Sequence, residues 1–140
     1  MTTPSPPADV VYAVEPHVSP AEYIVVLRKT TLGERRPVDD PARIARMIDE
    51  ADVLVTARVD GRLVGISRAL TDYSFATYLS DLAVDEQYQG HGIGRELIRR
   101  THAACGKETM LVLIAAPQAE TFYPHIGLQQ HMSCWFLPRE

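Results

Sequence analysis

Leu79-Ser80-Asp81-Leu82-Ala83-Val84-Asp85-Glu86-Gln87-Tyr88-Gln89-Gly90-His91-Gly92-Ile93-Gly94-Arg95 carries the strongest structural signal in the chain. Its first six residues read as a strand that ends just before a short polar link. Three alternating glycines follow, and beyond them Ile93, Leu97, Ile98 and Thr101 recur on one face of a helix. The unit is strand, glycine-rich turn, helix. Glycines there let backbone N–H groups crowd around a phosphate, and the unpaired first-turn donors and positive dipole end of the helix act on the same point. Glycine-rich turns also arise for steric reasons alone, so the flanking sequence must decide.

Upstream, Val53-Leu54-Val55-Thr56-Ala57-Arg58-Val59 is rich in β-branched residues and stops at Asp60-Gly61, a two-residue hairpin signal. Leu63 to Leu70 returns as the partner strand. Thr71-Asp72-Tyr73-Ser74 reads as a turn, and Phe75 to Val84 as a third antiparallel strand. Glycines that follow a meander late in the chain do not fit a dinucleotide-binding βαβ array, and no Gly-Lys-Ser/Thr completes a Walker pattern. Downstream, the helix carries Arg99, Arg100 and His102 in its last turns and meets Gly106 as a stop. Met110 to Ala116 is a nearly continuous apolar run that suits a buried parallel strand reached by the crossover. A short helix near Ala119 to His125 and a final strand near Ser133 to Leu137 complete the expectation.

On the amino-terminal side, Val10 to Val14 reads as a first strand. Ser19-Pro20-Ala21-Glu22 carries a capping residue, a first-turn proline and a glutamate spaced for a capping box, so a helix starts there and runs toward Gly33. Asp40-Pro41 opens a second helix with Ile44, Met47, Ile48 and Ala51 on one face. Met1 to Asp9 holds three prolines and nothing to bury, which predicts a disordered leader (1–9) ahead of a single domain (10–140).

A chain of 140 residues, 46% apolar, is long enough for one full core. Its net charge of −4 and lack of a basic stripe give no support to nucleic-acid or anionic-membrane partners. Cys105 and Cys134 lie far apart with no CxxC, so neither a disulfide framework nor a metal site is expected. With no signal-peptide pattern and no apolar run near the roughly 20 residues a membrane span needs, a soluble cytoplasmic protein is expected.

Gln89, Gly92 and Gly94 match in register the Gln/Arg-x-x-Gly-x-Gly/Ala motif of the GNAT superfamily of acyl-CoA-dependent N-acyltransferases. Phe122-Tyr123-Pro124-His125-Ile126-Gly127-Leu128 resembles that superfamily's Phe-Tyr helix followed by Gly and an apolar residue. The resemblance covers about residues 53 to 137. It implies an α/β mixed sheet, an antiparallel meander followed by a β-α-β crossover, splayed between the Val84 and Leu113 strands with acetyl-CoA in the gap. The pantetheine arm would pair with backbone at Leu82, Ala83 and Val84. The pyrophosphate would rest on N–H groups of Gln89, Gly90, His91, Gly92, Ile93, Gly94 and Arg95. A metal is not implied.

By the same resemblance Tyr123 holds the position of the general acid that protonates the departing CoA thiolate, and a phenol near pKa 10 can donate to a thiolate whose conjugate acid is near about 8.5. Asp81 is the leading base for the acceptor amine, because an aspartate in an apolar strand is costly unless it faces a cleft or has a partner. Plain alternatives stand beside both: Tyr123 as core packing and Asp81 as a sheet-edge or capping carboxylate. His91 reads as a solvent-facing spacer or a coenzyme contact, His125 and His131 as surface residues or a proton relay, and Arg95 as a surface charge within reach of a phosphate. Tyr73, Phe75 and Tyr78 suit a half-buried strand or an acceptor pocket. Asp72 and Asp81 together hint at a cationic amine, small molecule or peptide. Ala115-Ala116-Pro117-Gln118 lacks the asparagine that many relatives carry there. Relatives often dimerise through sheet edges, so a homodimer is compatible with the resemblance. The expected reaction is direct acetyl transfer from acetyl-CoA to an amine. The rivals are an inactive acyl-CoA-binding sensor of the same fold and a structural protein without ligand.

Overall fold

The computed structural model describes residues 9–115 and 121–140. One five-stranded sheet runs β1 (Val11–Val14), β2 (Val53–Val59), β3 (Arg62–Thr71), β4 (Ala76–Val84) and β5 (Met110–Val112), side by side in chain order. The first four are antiparallel neighbours, and β5 lies parallel to β4 after the crossover helix α3 (Ile93–Cys105). The β2–β3 turn places Asp60 at φ 51 and Gly61 at φ 78, the left-handed pair that a tight hairpin of matching twist requires. The meander and crossover read from the sequence are the observed architecture. Among the described residues, no helix is long and apolar enough to cross a membrane.

Two helices cover one face of the sheet. Helix α1 (Pro20–Arg28) begins at Ser19, whose hydroxyl accepts from the Glu22 amide while the Glu22 carboxylate accepts from the Ser19 amide, as the capping-box spacing predicts. Helix α2 (Pro41–Asp49) is capped by Asp40. Their apolar faces, with Tyr23, Leu27, Ile44 and Ile48, close on Leu54, Leu63, Ile66 and Ala83. Helix α3 covers the opposite face, where Ile93, Leu97 and Cys105 join Val53, Val55, Ala57, Val64 and Leu79.

Four details depart from the sequence reading. Helix α1 stops at Arg28, not near Gly33, and the chain recoils into a 3-10 turn, Thr31–Arg35, started by the Thr30 hydroxyl accepting from the Leu32 amide. A Cβ on Gly33 would stand 2.6 Å from the Leu27 carbonyl oxygen, so only glycine lets this turn fold back on the helix end. Strand β5 is regular only to Val112, and its expected end at Ala116 lies outside the described residues. The short helix is α4 (Phe122–His125); the expected start at Ala119 and Pro117 also lie outside them, as do residues 1–8 of the expected leader. Ser133 to Leu137 is not a strand: Trp135 is 91% and Leu137 96% exposed. A β-prone segment needs a neighbour to pair with, and β5 is itself only three residues long.

The feature that positions the site is a bulge. Arg68 of β3 faces Asp81, yet the next residue, Ala69, faces Leu79, so Ser80 is an extra residue in β4. An extra residue reverses which side of the sheet later side chains enter. Leu79 packs toward α3, whereas Ala83 packs toward α1 and α2.

Candidate active site

Strand β5 pairs with β4 only at Ala76, Thr77 and Tyr78. From Leu79 to Val84 that edge of β4 has no strand beside it among the described residues, and Leu113 and Ile114 diverge across the gap. The opening is a cleft of about 470 Å3 walled by Leu79 to Val84 (Asp81 excepted), the glycine turn, Leu113, Ile114, Phe122 and Tyr123, with Thr30 to Leu32, Arg35 and Arg36 closing one side. That volume suits a small-molecule ligand.

At its carboxyl end the cleft meets the amino terminus of α3. Gly90 and Gly92 take φ of 85 and 80, which bends the chain so that Gly92 becomes the N-cap. No side chain caps this helix, which leaves first-turn amides open to a ligand. The Gln89 side-chain amide donates to the Val84 carbonyl at 2.9 Å and ties the turn to the strand end. A Cβ on Gly94 would lie 3.3 Å from Phe122 Cζ and 3.8 Å from Val84 Cγ2, so this glycine keeps the wedge between strand, α3 and α4 open.

Leu82, Ala83, Val84, Gln89, Gly90, Gly92, Ile93 and Gly94 all line the cleft; His91 and Arg95 do not. Tyr123 lines it from α4, half-buried, with Phe122 edge-on at 5.2 Å between ring centres. Burial pushes the Tyr123 phenol above its ordinary pKa, so it stays protonated through neutral pH. His125 and His131 are exposed and stand away from the lining.

Asp81 sits elsewhere than the sequence suggests. Because of the Ser80 bulge its side chain enters the α1 face, where it is 0% exposed and does not line the cleft. Arg68 Nε donates to Oδ2 at 2.6 Å, Arg36 Nε donates to Oδ1 at 2.6 Å, and the Tyr23 hydroxyl also donates to Oδ2. Burial alone would raise this carboxyl's pKa, but the Arg68 hydrogen bond and charge, the Arg36 charge and the Tyr23 hydrogen bond outweigh it and hold it below the usual range. The carboxylate is fully engaged, an anchor for two arginines. Asp72 likewise is spent on a turn, accepting from the amides of Ser74, Phe75 and Ala76, which holds its pKa at about 2.

Asp81→Asn leaves two guanidinium groups short of their counter-charge, so it is expected to destabilise the fold by about 3–5 kcal/mol, the range for breaking a buried pair; urea unfolding measures it. With a depressed native pKa, the Asp81 contribution is present above the unfolded carboxyl pKa near about 3.9 and lost only as pH falls through the lower native value.

The Arg36 and Arg35 wall had no signal in the sequence reading. It follows from the Gly33 recoil, which lays the chain after α1 across β4.

Comparison with known proteins agrees with this geometry. The family model for the acetyltransferase (GNAT) domain matches residues 34–133. A crystal structure of a candidate acetyltransferase from Deinococcus radiodurans R1 superposes with a TM-score of 0.76 at 31% identity, covering 99% of this chain and 94% of that one. GCN5-related N-acetyltransferase 2, chloroplastic, from Arabidopsis thaliana is 31% identical over 70 residues, 49% of this chain and 27% of its own length. Histone acetyltransferase TAP1 from Glycine max is 33% identical over 70 residues, again 49% of this chain and 28% of its own. The chain thus spans less than a third of these two curated relatives.

Proposed function

The chain belongs to the acetyltransferase (GNAT) domain family, and on that premise we propose that it transfers the acetyl group of acetyl-CoA directly to an amine held in the β4–β5 cleft. The observation that carries the reading is the continuity of three features in one cavity: the open edge of β4, the uncapped amino terminus of α3, and the Tyr123 phenol. The open edge offers backbone partners to a pantetheine amide at Leu82 to Val84. The α3 amides and Gly92 suit a pyrophosphate, and Gly94 leaves room for the arm to pass Phe122.

The amine nitrogen attacks the thioester carbonyl carbon, an N–C bond forms as the C–S bond breaks, and the thiolate takes its proton from the Tyr123 hydroxyl. Tyr123 recovers that proton from water. The protein's main contribution is placement: it holds nitrogen and carbonyl carbon together in a partly apolar cleft. A backbone N–H on the free edge of β4 polarises the carbonyl.

The amine must shed a proton first. Among the described lining residues there is no histidine or aspartate, and the sole carboxylate, Glu86, stands beyond β4 on the glycine-turn side. Asp81 is therefore assigned to positioning Arg36 and Arg68, and the amine delivers its proton to water. Log kcat/KM is then expected to climb with unit slope up to the acceptor's own amine pKa; a plateau beginning near pH 6–7 would instead reveal a protein base.

The sequestration of Asp81 also favours a second reading, an acyl-CoA-binding regulatory module without turnover. Thiol release from acetyl-CoA, assayed over amino acids, polyamines, aminoglycosides and lysine peptides, separates the two. Release that depends on one class of amine supports transfer; tight acetyl-CoA binding with no release for any amine supports the module.

A further inference from the structure

The acceptor side of the cleft is positively charged, and the charge is built in. Arg36 reaches from the end of the 3-10 turn to β4. Its Nε donates to Asp81 Oδ1 at 2.6 Å, one Nη to the Ser80 carbonyl at 2.7 Å and the other to the Arg35 carbonyl at 2.9 Å. These bonds use three of the guanidinium's five N–H groups and fix its plane. The single charge of Asp81 is shared with Arg68, so the trio keeps one net positive charge. Of the two arginines, Arg68 is buried, whereas Arg36 lines the cleft with its side chain 17% exposed.

Arg35 lines the cleft beside it. Ser80 lies roughly 13 Å along β4 from Val84, at about 3.3 Å per residue, so this charge sits well away from the α3 amides that suit the pyrophosphate. Aspartates that would have matched a cationic acceptor are not available: Asp81 is enclosed and Asp72 is occupied by its turn.

We propose that Arg36, pre-oriented by Asp81, receives a carboxylate of the acceptor, so that the substrate is an amine that also bears a carboxylate, an amino acid or a related amino-carboxylic acid. This rests on the acetyl-transfer reading of the cleft. A planar fork with donors to spare and a fixed orientation is the geometry that carboxylate recognition uses. The Arg36–carboxylate contact anchors one end of the acceptor near Ser80 and leaves its amine to point along the open edge toward the thioester.

The test is the ratio of kcat/KM for an amino acid to that for its carboxamide, measured by thiol release across the common amino acids, with polyamines and aminoglycosides alongside. The expected result is a ratio of at least about tenfold in favour of a free acid, one charge-assisted contact's worth. That preference should vanish in Arg36→Gln and largely survive in Arg36→Lys, with acetyl-CoA affinity equal in all three proteins. Each ratio compares substrates within one protein, so a loss of stability cannot imitate the effect. Turnover confined to amines without a carboxylate would overturn the proposal, as would no turnover with any amino acid while acetyl-CoA binds, or a preference that persists in Arg36→Gln. A parallel loss of acetyl-CoA affinity in Arg36→Gln would also overturn it, placing Arg36 on a coenzyme phosphate. Failure of the unmodified protein to bind acetyl-CoA is a different outcome, and would sink the coenzyme reading itself.

Discussion

Gly92→Glu is expected to weaken acetyl-CoA binding by at least about a hundredfold, or ~3 kcal/mol. Gly92 is the N-cap of α3 at φ 80, and a side chain built there meets nothing within 4 Å, so a glutamate would be free to place its carboxylate at the mouth of the phosphate site. The carboxylate competes for the same helix amides and repels the pyrophosphate. Gly92→Ala is the control. It carries the same left-handed strain, about 1–2 kcal/mol of fold stability, without the charge, and its loss of affinity should stay under about tenfold. Equal losses in the two variants would mean that the backbone conformation matters and the anion site does not.

Tyr123→Phe is expected to lower kcat by roughly a hundredfold, the lower range for a lost general acid, with acetyl-CoA affinity unchanged. The substitution removes only a hydroxyl, and the ring's packing beside Phe122 and Ile126 stays. Because burial holds the phenol above its ordinary pKa, the protonated donor persists through neutral and mildly alkaline pH. Any fall in kcat caused by its ionisation belongs above about pH 10. An unchanged kcat in Tyr123→Phe would return Tyr123 to a packing role.

Much of this molecule is legible in its sequence because its signals are local. Ser19 with Glu22, Asp40 with Pro41, Asp60 with Gly61, and the glycines from Gly90 to Gly94 each fix a turn or cap through their own side chains or backbone freedom. The strands between them are then set by alternation and length. The glycine turn and Tyr123, which is 29 positions beyond Gly94, meet in one cleft because the parallel crossover brings them there.

Asp81 was not legible in the same way. An aspartate in an apolar strand must have a cleft or a partner, and the choice between them turned on a single extra residue, Ser80, that reverses the face of β4. Its partners Tyr23, Arg36 and Arg68 are drawn from three separate elements, and no spacing in the chain announces them. The tail misled for a related reason. Ser133 to Leu137 has strand-like composition, but pairing depends on an available edge, which is a property of the neighbour rather than of the segment.

Isothermal titration of the purified protein with acetyl-CoA, NAD and ATP shows whether the β4–α3 cleft holds the coenzyme proposed for it. Saturable one-to-one binding of acetyl-CoA, with NAD and ATP much weaker, is the predicted result; no heat with acetyl-CoA, or equal affinity for all three nucleotides, would contradict it.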